Sequence, residues 1–234
     1  MKIFIFLLLF LCSSFANPTL QTFLLNGKSG DYIVTQAGKL FTVVHLRSID
    51  ENQLIIEEIS GPNSFVTDSW ASWVKNKAPG HTSWSILEID SKNGQVLDCY
   101  SVSKNMHVKI SKNESILATL LQLSLVPIQN EDRRRIGPPP LDGEPDFRKI
   151  WNPKFVFEKK TNHGTVCDAY TAIWPNDGSE IEGRSITLYF DQAHKIPFPC
   201  WIDIETTHVT GRIHVVDSGQ NLVSPAFKKI GNKF

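Results

Sequence analysis

Short runs of Ile, Val, Phe and Leu, cut every few residues by Gly, Pro, Asn or Asp, recur along almost the whole chain. Runs of this length, rich in β-branched and aromatic residues, bury a face best as strands. Residues 31–35, 39–47 and 53–59 are three of them, separated by Ala37-Gly38 and Asp50-Glu51-Asn52. Their close spacing predicts an antiparallel meander. Residues 82–90 and 95–102 flank Ser91-Lys92-Asn93-Gly94, and Asn-Gly accepts positive φ at low cost, so they predict a hairpin. The second half is read the same way, with strands at 154–160, 165–174, 184–191, 201–205 and 208–216. Thr161-Asn162-His163-Gly164, Pro175-Asn176-Asp177-Gly178 and Ile196-Pro197-Phe198-Pro199 separate these strands, and Gly211 marks a bulge or bend.

Two segments read as helical. Gly61-Pro62 ends the first sheet segment, and Phe65, Val66, Trp70, Trp73 and Val74 then recur at helical spacing. With Asn63 or Ser64 as cap and Pro79-Gly80 as stop, this predicts an amphipathic helix over 64–77. Residues 115–126 fit a buried helix or a strand pair, and the spacing of Ile116-Leu117 and Leu120-Leu121 favours the helix. Residues 17–29 form a short lead-in.

At the start of the chain, Lys2 precedes an unbroken apolar run, and Ser14-Phe15-Ala16 offers small residues at a cleavage position. Residues 1–16 are thus expected to be a secretory signal peptide, because the run is about half of the roughly 20 residues a membrane-spanning helix needs. This places the protein outside the cytoplasm, periplasmic or secreted. Cys12 follows Leu9-Phe10-Leu11 with no small residue before it, unlike a lipoprotein signal. No second long apolar run follows, so no transmembrane segment is expected in the mature chain. Lys+Arg and Asp+Glu are both 24, for a formal charge of +0, and this balance argues against nucleic acid as a partner. The organisation expected is a β-meander with helices over 17–126, a connector over 127–145, and an antiparallel β region over 146–234 belonging to the same domain. The connector carries Arg133-Arg134-Arg135 and Gly137-Pro138-Pro139-Pro140. Its arginines read as a solvated charge run or as a contact for an envelope or host protein.

Chemical signatures are sparse. The chain has no phosphate-binding glycine loop, no HExxH, no GxSxG and no CxxC. His208 and His214 lie six residues apart, about 20 Å along a regular strand, too far to share a metal. Cys200 beside His194 and His208, Cys167 beside His163, and His81 beside Ser83 lack the third group that a nucleophilic site requires. Asp191, Asp203 and Glu205 were weighed as acid and base, but Asp203 and Glu205 share one strand face that reads as the solvent side. Cys99, Cys167 and Cys200 imply one disulfide plus a leftover thiol in an oxidising compartment, or three buried thiols, with the pairing open. Asn113-Glu114-Ser115 is a glycosylation sequon. No cofactor or metal is expected. Aromatic residues are the positive signal, with Phe 14 and Trp 6. A curved sheet around a helix leaves an apolar concavity, for which the expected lining is Trp70, Trp73, Trp84, Phe157, Tyr189 and Trp201.

Ile186-Thr187-Leu188-Tyr189-Phe190-Asp191, then Ile196-Pro197, then Trp201-Ile202-Asp203-Ile204-Glu205 reads as strand, turn and strand. It is similar to a stretch of the periplasmic lipoprotein-sorting carriers, LolA and LolB. The resemblance implies an incomplete antiparallel barrel closed by helices, with an apolar cavity for acyl chains. It carries over no individual site residue, and the Pro199-Cys200 insertion and the long connector depart from it. The expectation is therefore a mainly β protein (α+β) with two or three helices, whose antiparallel sheet is strongly curved or an incomplete barrel. Its expected function is non-enzymatic binding of an apolar ligand or a lipidated partner (a lipid or lipoprotein). The alternatives are a protein-interaction module and a secreted hydrolase with an unrecognised site.

Overall fold

A computed structural model describes residues 17–66, 68–109, 115–162, 164–193, 195–205 and 211–226. Helix α1 (Leu20–Leu25) opens this part, capped by Thr19, whose side chain and that of Thr22 satisfy each other's backbone N–H groups. Strands β1 (Tyr32–Ala37), β2 (Leu40–Ile49) and β3 (Gln53–Pro62) follow. Helix α2 (Trp70–Lys75) intervenes before β4 (Ser83–Asp90), β5 (Val96–Ser101) and β6 (Met106–His107). Helix α3 (Ile116–Leu120) leads to β7 (Val126–Pro127), and β8 (Phe155–Phe157) pairs with β9 (Lys160–Asn162) as a separate hairpin. The chain ends in β10 (Cys167–Ile173), β11 (Ser185–Asp191), β12 (Trp201–Ile204) and β13 (Gly211–Gly219).

Eleven strands make one sheet in the order β6-β5-β4-β3-β2-β1-β13-β12-β11-β10-β7. All its pairs are antiparallel. The fold is thus mainly β with three short helices. Both halves of the chain belong to this one sheet, because β13 returns to pair with β1 from Tyr32↔Gly219 to Gln36↔His214. The order is open, ending in β6 at one edge and β7 at the other.

Both faces of the sheet carry core. On one, Ile33, Val44, Leu46, Leu54 and Ile56 pack with Leu20 and Leu24 of α1, Leu120 and Leu121, and Leu188, Phe190 and Ile202 of the second half. On the other, Tyr32, Val34, Val43 and Ile59 pack under Trp70, Trp73 and Val74 of α2 and under Leu222 and Ala226. A strand covered on both sides loses strict alternation in sequence, so Val43-Val44 in β2 and Leu54-Ile55-Ile56 in β3 are consecutive apolar residues that face opposite cores.

The structure corrects several local expectations. Gly61-Pro62 does not break the sheet. These residues end β3 opposite Phe41 and Leu40, and a strand end tolerates the missing proline N–H. Gly61 packs closely there, since a Cβ would lie 3.2 Å from the Trp73 ring and the ring would have to give way by a few tenths of an ångström. The helix predicted over 64–77 is a 3-10 turn at Asn63–Phe65 followed by the shorter α2. Its cap is Ser69, whose hydroxyl accepts from the Ser72 N–H at 3.1 Å. The helix predicted in 115–126 spans five residues, after which the chain runs on to β7. Gly211 opens β13, and Thr161-Asn162 belongs to β9 instead of a break.

Adjacent glutamates on β3 show how burial and pairing compete. Glu57 is fully buried, with Oε2 2.9 Å from His45 Nδ1. Its Oε1 accepts from Trp84 Nε1 at 2.8 Å and from Ser224 Oγ at 2.7 Å, and lies 3.3 Å from Arg47 Nη1. Arg47 Nη2 also donates to the Ala226 carbonyl at 2.8 Å, so the cluster ties the segment after β13 onto β3. Burial pushes the Glu57 carboxyl up, but His45, Arg47, Ser224 and Trp84 together hold it below the ordinary value. The Glu58 side chain makes no hydrogen bond or ion pair among the described residues, and burial pushes its carboxyl up to about 6.

Removing one member of a buried, paired charge cluster costs about 3–5 kcal/mol, and Glu57→Ala is expected to lose that much in urea melts at pH 7. The folded-state value of Glu57 is depressed, so its contribution is complete above 4.5 and is lost as pH falls through the folded value. Glu58 has the opposite sign, destabilising progressively as pH rises from 4.5 to about 6. Melts of wild type and Glu58→Gln across that window check this. Identical slopes for the two proteins would refute it.

Candidate functional site

A candidate site forms where the two halves of the chain meet on the α1 face. Leu20 and Leu24 point α1 into the core, which leaves Phe23 beside them, stacked on Phe190 of β11 at 4.1 Å and 14°. Tyr170 of β10 meets Phe23 edge-on at 5.3 Å. Asn26 ends the helix, and Gly27 then passes so close to the loop after β11 that a Cβ would lie 2.5 Å from Pro197. That loop is held by Asp191, whose carboxylate accepts from the Ala193 N–H at 3.2 Å and the Lys195 N–H at 3.4 Å. Ile196 and Phe198 are buried, and Lys195 is exposed.

Phe157 closes the third side. The turn from β8 to β9 places Glu158 and Lys159 at φ 47° and 63°, a left-handed pair that hairpin turns of this kind demand and non-glycine residues resist. β13 holds the turn: the Glu158 N–H donates to the Ser218 carbonyl at 2.7 Å, and the Lys159 N–H to Asp217 Oδ1 at 2.9 Å. Together these pieces enclose a cavity of about 660 Å³ lined by Phe23, Phe157, Phe190, Ile196 and Pro197, with Asn26, Gly27, Lys28, Asp31, Lys195 and Gln220. Lys195 Nζ stands 5.9 Å over the Phe157 ring. Asp31 is buried, which pushes its carboxyl up against the opposing hydrogen bond from the Lys28 N–H. The cavity therefore has an aromatic lining and two exposed lysines at its rim, a layout suited to an apolar body with a polar end.

The six aromatics expected to line one concavity are divided over three places. Trp70, Trp73 and Trp84 are core residues of the opposite face, where Trp70 meets Phe41 at 5.4 Å and Trp73 at 5.7 Å. Tyr189 and Trp201 are bridged by Trp151, at 5.3 and 5.6 Å. Phe157 alone of the six lines the large cavity. Phe23 and Phe190 were missed. Phe190 is the strand neighbour of Tyr189, and strand periodicity puts the two on opposite faces.

Around Trp151 the connector is folded down, and its arginines are engaged. Arg134 lies 4.5 Å over the Trp151 ring, and Arg133 donates to Asn152 Oδ1 at 2.9 Å. Arg135 donates to the Arg148 carbonyl at 2.8 Å and pairs with Asp146 at 3.3 Å, and the Arg148 guanidinium holds Asp146 at about 2. A smaller cleft of about 360 Å³ beside them mixes Arg133, Arg134 and Arg212 with Asp132, Asp203 and Glu205. Asp203 accepts from Trp201 Nε1 at 2.9 Å.

His81 Nδ1 is bonded to the Ala78 carbonyl at 2.9 Å, and its ring meets Trp84 edge-on. Cys200 is buried beside Cys167, and none of the three cysteines of the described residues is in a disulfide. His163, His194, His208 and the sequon residues Asn113 and Glu114 lie outside the described residues. Among the described residues no group of three His, Cys, Asp or Glu is placed to hold a metal, and no helix is long and apolar enough to cross a membrane.

This fold is one already described. The model of the CT021 protein family matches residues 42–162, from β2 through β9, and the chain belongs to that family. A solved structure of the hypothetical protein CT021 from Chlamydia trachomatis is similar in fold, with a TM-score of 0.66 at 17% identity. The match covers 93% of this chain and 99% of that one. Comparison with curated proteins gave no match.

Trp151 is the pin of the connector, touching Tyr189, Trp201 and Arg134 at once. Because it is half-buried, Trp151→Ala is expected to cost about 2 kcal/mol, below the range for a full core aromatic. Limited proteolysis is expected to cut within 128–150 faster while sparing the sheet. An unchanged cleavage pattern would refute the pin.

Proposed function

We propose that the protein is exported and binds an amphiphile without chemical turnover, with an acyl chain against Phe23, Phe157 and Phe190 and an anionic end at Lys28 and Lys195. The observation that carries this reading is the cavity of about 660 Å³ with an aromatic lining and two lysines at its mouth. Its size lies within the range of small-molecule sites. The apolar run after Lys2 supports export, and the resemblance of Ser185–Glu205 to lipoprotein-sorting carriers supports a lipid or lipidated partner as cargo. In this reading the sheet curves over its α1 face as such carriers do.

Burial contributes about 0.8 kcal/mol per methylene. Ten methylenes set a ceiling near 1 μM, and the cost of ordering the ligand moves the expected dissociation constant to tens of micromolar. The test is fluorescence titration with a dansyl-labelled undecanoic acid. Asn26→Trp places a large ring at the rim without disturbing a residue that is already helical at −86°. It is expected to weaken uptake about tenfold with unchanged circular dichroism, and Lys195→Glu is expected to weaken the acid more than the matching alcohol. Absence of uptake, or uptake indifferent to both variants, overturns the reading.

A second reading, docking of an envelope or host protein, is favoured by apolar side chains left exposed on the connector and just after it. Phe147 is 89% exposed and Leu141 75%. Because Arg133, Arg134 and Arg135 are used within the connector, this reading assigns the contact to Phe147 and Leu141. A pull-down unaffected by Leu141→Ser with Phe147→Ser overturns it.

A further inference from the structure

Cys167 opens β10, and Cys200 stands immediately before β12, so the two flank β11 on either side. The register brings them to the same end of that strand. Cys167 lies opposite Asp191, and the Cys200 N–H donates to the Tyr189 carbonyl at 2.8 Å. Their sulfurs are 3.8 Å apart, and both residues are 0% exposed. Cys99, on β5, has seven strands between it and β10 in the sheet order. The Cys167–Cys200 contact also brackets the loop at 192–199, which supplies Lys195, Ile196 and Pro197 to the cavity.

We propose that Cys167 and Cys200 form a disulfide that braces the cavity wall at 192–199. The bond requires the sulfurs to approach from 3.8 Å to about 2.05 Å, and because the two residues stand on either side of β11, β10 and the segment before β12 must draw together as the bond forms. The contact between the two sulfurs holds the Cys167 thiol below its ordinary value, while that same contact and burial push Cys200 up. Cys167 is thus the attacking sulfur. Its thiolate displaces one thiol from an external disulfide of the glutathione class, giving a mixed disulfide. The Cys200 thiolate then attacks the Cys167 sulfur and releases the second thiol. Two electrons pass from the protein dithiol to the external disulfide, and the two protons leave on the two released thiols. Because both cysteines are buried, exchange takes place before β10 and β12 close on β11 or during local opening. The finished bond is then shielded from reductants.

A chain of residues 17–234, which holds Cys99, Cys167 and Cys200 but not Cys12, is refolded from the reduced, denatured state in glutathione buffer poised near −200 mV, unfolded in denaturant, alkylated without reductant and weighed intact. One label is expected, with a mass about 2 Da below that of the singly labelled dithiol. Reduction first restores three labels. Cys99→Ser is expected to give no label, and Cys167→Ser or Cys200→Ser two. Hydrogen exchange of the ligand-free protein is expected to be at least about tenfold slower at 192–199 in the oxidised form than in the reduced one. Three labels at that poise, or a bond that includes Cys99, overturns the pair. Equal exchange in the two redox forms overturns the brace. Neither readout depends on whether the cavity takes an amphiphile.

Discussion

The pairing of β13 with β1 is the constraint on which the rest of the molecule depends. It joins a six-strand meander to a four-strand one across the longest separation in the chain, and it converts two half-exposed edges into the middle of a sheet. Everything that builds the cavity is hung on that seam. Asp217 and Ser218 of β13 hold the hairpin that presents Phe157. Leu222 to Ala226, just beyond β13, close the opposite face over Glu57. A strand pair this distant in sequence forms late and at high entropic cost. The Glu57 cluster is therefore well placed: it holds the tail after β13 to β3, which β1 and β2 separate from β13 in the sheet.

The same seam explains what was legible in the sequence. Five strands of the meander were readable because their residues interact with near neighbours, while the two-residue β6 gave no signal, and the turn at Asn93-Gly94 has the positive φ at Gly94 that its residues invite. The partner of β1 was not readable, since nothing in the sequence of β1 distinguishes β13 from other strands. Helix α2 was readable in existence, through Trp70, Trp73 and Val74, but not in length. The deciding interaction, Ser69 with the Ser72 N–H, competes with earlier caps of equal chemical quality.

The aromatic lining failed to be legible for a related reason. β11 is buried on both faces, so the strand itself does not say whether Tyr189 or Phe190 faces a cavity. The choice is made by α1, which brings Phe23 onto Phe190, and by Trp151 of the connector, which covers Tyr189. Both partners are remote in sequence. The tryptophans of α2 and β4 were the most conspicuous aromatics, and they became core because the meander is covered on that face by a helix one and a half turns long. So short a helix buries the sheet only with large side chains.

Strain and cohesion are distributed unevenly around the cavity. On one side the turn at Glu158-Lys159 adopts a backbone that its residues resist, and hydrogen bonds from β13 hold it. On another, Gly27 is pressed against Pro197 at a distance no side chain would allow, so α1 and the loop after β11 move together. The third wall, residues 192–199, is fastened at its start by Asp191 and at its end by the contact of Cys200 with Cys167. The Asp217 side chain thus holds the first wall, Asp191 and the cysteine contact hold the third, and Gly27 presses the second against the third. A side-chain fastening can be strengthened or released without rebuilding the backbone, and at 192–199 that is what a bond between Cys167 and Cys200 adds.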